Sequence, residues 1–132
     1  MKTPKGRTDR GAAAVEFALV LPLLVMLIFG IVDFGRMLNA KITLTEAARE
    51  GARAASLIGR DAGVARAREA AEGYDIDKPD VRGCPRSPGP DDDAIVTVSY
   101  NFEFITPIGL LMGGSGDGIV KLSSRSVMPC LR

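Results

Sequence analysis

Gly11-Ala12-Ala13-Ala14-Val15-Glu16-Phe17-Ala18-Leu19-Val20-Leu21-Pro22 opens an apolar run that continues almost unbroken to Val32. As a helix rising about 1.5 Å per residue, Ala12 to Val32 is long enough to cross a hydrocarbon core about 30 Å thick. The run therefore predicts a membrane-spanning helix over residues 12–32. One residue does not fit that setting. An ionised Glu16 near the end of such a helix is costly unless it is solvated or paired. A cut between Gly11 and Ala12 would expose an α-amine four residues before Glu16, and the two opposite charges would neutralise each other, within one helix or between neighbours. Gly11 suits a scissile position because an extended backbone without a Cβ lets a protease approach closely.

A glycine preceded by basic residues, a glutamate five positions on and a membrane-length apolar run resemble the class III signal of type IV pilins and pseudopilins. More narrowly, Arg10-Gly-Ala-Ala-Ala-Val-Glu-Phe-Ala18, Pro22, Asp33-Phe-Gly-Arg36 and Ala47-Ala-Arg-Glu-Gly-Ala-Arg-Ala-Ala55 resemble the TadE-like family of the tight-adherence (Flp) pilus system. The resemblance implies that a prepilin peptidase cuts after Gly11 on the cytoplasmic face and leaves Glu16 as the fifth mature residue. It implies a minor pilin or pseudopilin whose partners are that peptidase, a major pilin, other minor pilins and the assembly platform of the inner membrane. It also implies that the helix loosens at Pro22 as it leaves membrane lipid and packs into a filament.

Bulk properties bound the alternatives. At 132 residues there is room for one small domain beside the membrane helix. The formal net charge is +1, and the basic residues Lys2, Lys5, Arg7 and Arg10 all precede Gly11, so the remainder is slightly acidic. No basic patch for nucleic acid is left. Histidine and tryptophan are absent, which removes the commonest general base and the commonest metal ligand. The chain reads as a non-enzyme with no cofactor and no metal. Asp91-Asp92-Asp93 lacks the alternating spacing of a calcium loop and reads as a solvated turn. The glycines from Gly113 to Gly118 lack the Gly-Lys-Ser or Gly-Lys-Thr of a phosphate cradle.

In chain order, residues 1–11 read as a basic leader peptide, disordered over residues 1–10, whose charge places the N-terminus in the cytoplasm and the C-terminus outside. The resemblance implies that the membrane is a bacterial inner membrane and that the chain can also stand on an extracellular pilus. An ordinary secretory signal fits poorly, because the apolar segment is about twice a typical h-region. The rival reading is an uncleaved, single-pass envelope protein whose head binds a partner. Pro22 should kink the helix. Residues 33–72 form an amphipathic helical stalk, with Ala47, Ala48, Gly51, Ala54, Ala55 and Ile58 as a low stripe and Glu46/Arg49 and Glu50/Arg53 as ion pairs. Gly59 interrupts it, Asp61 caps a second helix through Glu72, and Gly73 ends it.

Residues 73–132 form the head. Residues 73–93 gather proline, glycine and aspartate and read as irregular. Val96, Val98, Tyr100, Phe102 and Phe104 alternate with polar residues as a strand, and Ile119 to Met128 forms its partner. Ser124 and Ser126 would let that partner sit close to the alanine stripe, and Leu110 to Met112 should tuck under the sheet. Cys84 and Cys130 fall on the oxidising side and predict a structural disulfide closing a loop of about 45 residues, contributing about 4 kcal/mol. The expected class is α+β: a long N-terminal transmembrane helix continuing into an extracytoplasmic helix, packed on a small antiparallel sheet with one disulfide.

Overall fold

The computed structural model describes residues 8–107, 109 and 118–130. The expectations for the leader over residues 1–7, for Leu110 to Met112 and for the glycine stretch 113–117 lie outside the described residues. The chain opens with α1, a single helix over Thr8–Leu57 with Pro22 inside it. Its 50 residues span about 75 Å. It begins three residues before Gly11, so Thr8, Asp9 and Arg10 are helical where an unstructured leader was expected. Gly11 is helical too, not extended. A single glycine lowers helix propensity by about 1 kcal/mol, too little to stop a helix that the alanines beyond it propagate.

The helix ends where Ile58 N and Gly59 N both donate to Ala54 O, at 2.9 and 3.3 Å. Gly59 sits at φ 126°, a conformation that side-chain-bearing residues avoid. Ile58, expected on the buried stripe, is 79% exposed because it lies in this turn. The next helix, α2, covers Arg60–Ala70. Asp61 falls in its first turn, and Gly59 occupies the cap with no side-chain hydrogen bond. Asp61 therefore acts through the helix dipole and does not cap the helix. The helix also stops short of Glu72, and Gly73 at φ 90° belongs to the turn that follows.

The two helices lie antiparallel at very close range. A Cβ built on Gly63 would stand 2.7 Å from Ala55 Cβ and 3.0 Å from Gly51 O, and one on Gly51 would stand 2.9 Å from Ala67 Cβ. Residues without side-chain bulk are what allow this approach.

Three strands follow: β1 over Asp80–Arg82, β2 over Asp93–Glu103 and β3 over Ile119–Pro129. They form one antiparallel sheet in the order β1-β2-β3, with Val81 opposite Val96 and Val98 opposite Ser124. β1 corrects the reading of residues 73–93 as wholly irregular. Three residues between Pro79 and Gly83 are too few to show a period of two. Phe104 lies just past β2, where its N–H donates to Gly118 O at 3.1 Å and its ring meets Phe102 edge-on.

The expected alternation holds through β2, where Ala94, Val96, Val98 and Phe102 are buried. Ala94, Val96 and Val98 pack on Leu44, Ala47, Ala48, Ala52 and Ala55 of α1, with Ala67, Ala71 and Val81 closing the sides. Ser124 is buried in the same layer and donates to Thr45 Oγ1 at 3.1 Å, so the serine face of β3 does lie against the helix. Cys84 and Cys130 form the disulfide across a Cα–Cα distance of 5.7 Å, tying the segment after β1 to the end of β3. Asp92 supports the same corner: its O accepts from Cys130 N at 2.9 Å and its Oδ2 from Gly89 N at 2.7 Å. The α+β architecture is as expected.

Candidate functional site

α1 has two different surroundings along its length. From Leu44 to Ala55 its inner face is covered by the head, whereas every residue from Gly11 to Phe29 is exposed. Leu19, Leu23 and Ile31 are 65–70% exposed, in a stretch whose mean hydropathy is 2.7. A run of leucine, isoleucine, valine and phenylalanine left open on every side is a surface for lipid or for other helices. It fits a single-pass membrane anchor.

The residues singled out from the sequence lie at the start of this surface. Gly11, Ala12 and Glu16 are all exposed on consecutive turns, with Ala12 and Glu16 four apart and hence on one face. A Cβ at Gly11 would meet nothing within 4 Å. Pro22 lies farther along the same bare segment. Cys84 and Cys130 are remote from all of these and belong to the head.

The bare and covered halves of α1 meet at Asp33, and here the structure adds what the sequence did not reveal. Asp33 is 1% exposed. Its carboxylate accepts hydrogen bonds from Thr106 Oγ1 at 2.6 Å, Thr106 N at 3.0 Å, Ile105 N at 3.3 Å and Arg36 Nη1 at 3.2 Å. Burial alone would raise its pKa. The bonds from Thr106, Ile105 and Arg36 outweigh burial and hold the carboxyl below the usual value of 3.8. Asp33 thus pins the segment after β2 to the helix. In the sequence Asp33 marks only the end of the apolar run, three residues before an arginine, because its main partners are more than seventy residues away.

Beside Asp33, Arg36 stands over the Phe102 ring at 5.2 Å. Asn39 Nδ2 donates to Tyr74 Oη at 2.8 Å, and Tyr74 meets Tyr100 edge-on at 5.3 Å. These side chains and Val32 line a groove of about 630 Å³ between α1 and the head. The ion pairs expected along α1 are arranged differently. Glu50 pairs with Arg66 of α2 at 3.3 Å, and Arg66 also pairs with Glu69 at 2.8 Å. Among the described residues Arg53 forms no ion pair, because the returning α2 brings Arg66 to Glu50 instead. Lys121 pairs with Asp77 at 3.1 Å across the outer face of the sheet.

The fold and this surface define a class: a small disulfide-closed head carried on a helix whose first half is bare and membrane-length. Residues 11–53 match the family model described as TadE-like protein. The match covers about a third of the chain: the bare half of α1, the Asp33 junction and the start of the alanine stripe. The likeness to TadE-like proteins is thus carried by the N-terminal helix, and the sheet and disulfide of the head lie outside it. Neither the curated proteins nor the solved structures contain a match to this chain.

Proposed function

We propose that this chain is a pseudopilin or minor pilin of a tight-adherence type IV pilus, cut after Gly11 by a prepilin peptidase and assembled through its N-terminal helix. The observation that carries this reading is the bare, membrane-length half of α1 lying within the residues that match the TadE-like model. In the bacterial inner membrane, lipid covers that surface, with the N-terminus cytoplasmic and the head outside. Cleavage creates an amine at Ala12 that offsets Glu16. The assembly platform then draws the helix into a bundle with the major pilin and other minor pilins, where apolar faces replace lipid and Pro22 gives the helix a weak point. The chain contributes packing and head contacts, with no chemistry of its own. N-terminal sequencing of the protein from its native host tests this: Ala12 as the first residue is expected, and Met1 overturns it.

One observation favours a second reading, an uncleaved membrane-anchored envelope protein whose head binds a partner. Gly11 lies within α1, and a protease that takes its substrate extended must first unwind the turn from Thr8. A retained leader on protein recovered from filament-bearing cells supports that reading over the first.

A further inference from the structure

We propose that the groove at the junction of α1 and the head binds the zwitterionic headgroup of a phosphatidylethanolamine molecule. This rests on the reading that residues 12–32 span a membrane. Arg36 lies four residues past Val32, about 6 Å along the helix. The headgroup layer of a bilayer is about 5–7 Å deep on each side, so the groove opens at that level.

Its chemistry matches both charges of the headgroup. Arg36 is exposed at 43%, and the hydrogen bond from one Nη1 donor to Asp33 leaves its other N–H donors for a phosphodiester. Asn39 donates to the Tyr74 oxygen, which leaves the Tyr74 hydroxyl proton to point at the same phosphate. Val32 and Phe102 supply an apolar floor for the glycerol end, and a Cβ on Gly35 would meet nothing within 4 Å, so that side of the groove is open. The adjoining recess shares Arg36 and Tyr100 and carries Asp75 and Glu103. Among the described residues neither of these acids forms an ion pair, whereas Asp77 beside them is held by Lys121 and Ser99. A primary ammonium on a short ethanolamine arm can donate to Asp75 and Glu103 while its phosphate meets Arg36. Phosphatidylglycerol brings no cation to those acids, and the quaternary ammonium of phosphatidylcholine has no proton to donate.

The test is native mass spectrometry of the full chain in detergent micelles doped with dioleoyl phosphatidylethanolamine, phosphatidylglycerol or phosphatidylcholine, or with free phosphoethanolamine. Retention of phosphatidylethanolamine about tenfold above the other two lipids is expected, with Arg36→Gln removing the preference. Gly35→Leu fills the groove from an open position and is expected to abolish retention while the disulfide and helical circular dichroism stay unchanged. Asp75→Asn combined with Glu103→Gln is expected to raise phosphatidylglycerol to the same level. Equal retention of the three lipids, or indifference to both Arg36→Gln and Gly35→Leu, overturns the proposal. Binding of free phosphoethanolamine as tight as that of the lipid overturns the lipid as ligand. Release of the protein from membranes by alkaline carbonate would sink the membrane-spanning reading itself, an outcome separate from loss of lipid preference.

Discussion

Asp33 shows how much one buried carboxylate can organise. Its oxygens serve the backbone of Ile105 and Thr106 and the hydroxyl of Thr106, and an alanine there would leave buried donors without an acceptor. Asp33→Ala should therefore lower stability by about 2 kcal/mol, read by thermal melting of the full chain in detergent, with Thr106→Val costing about half as much. Asp33 and Asp77 also set the acid limit of the head. Lys121 and Ser99 hold Asp77 below the usual value of 3.8, as Thr106, Ile105 and Arg36 do for Asp33. Each is thus deprotonated more readily folded than unfolded, so its contribution is complete above that value and is lost as pH falls through the lowered one. Melting curves at about pH 7 and about pH 5 should coincide, with the midpoint dropping below about pH 4 and dropping less in the Asp33→Asn, Asp77→Asn double variant. At the far end of the helix, Glu16→Ala should leave membrane levels unchanged and abolish recovery in sheared pili by immunoblot. Glu16 stood out in the sequence because its neighbours are all apolar. Asp33 was visible only as a boundary, since nothing local announces partners on a distant loop.

At the scale of elements, the contact between α1 and α2 depends on Gly51 and Gly63. Gly63→Ala would force its new methyl to within 2.7 Å of Ala55 Cβ, which costs about 1–3 kcal/mol in chemical denaturation. Gly35→Ala is the matched control. Its methyl meets nothing, and alanine is the better helix former by about 1 kcal/mol, so that variant should be at least as stable. Much of this level was legible in the sequence. The alanine stripe, the alternation of β2 and the serine face of β3 follow from spacing alone, because each buries one face of a regular element. β1 escaped because it is short and takes its conformation from pairing with Ile95, Val96 and Thr97. The exchange of Arg53 for Arg66 as partner of Glu50 escaped for a related reason: charge spacing within one helix carries no information about a second helix folding back on it.

At the scale of the whole molecule, a small alanine-rich core is reinforced by one covalent link. Replacing both Cys84 and Cys130 by serine should cost about 4 kcal/mol in denaturant titration, since the bridge joins residues 46 apart. The pairing was legible from cysteine count and the expected compartment. The surface that covers the bare half of α1 was not, because an apolar run reads the same whether lipid or neighbouring helices enclose it. The uninterrupted continuation of α1 from that half into the core also has a mechanical result. Pro22 lies 22 residues before Leu44, the first large core side chain on α1, a lever arm of about 33 Å. Any bend of about 20° that develops at the proline swings the head sideways by about 11 Å. A small hinge near the base therefore redirects the whole far end of the chain, with no rearrangement inside the head.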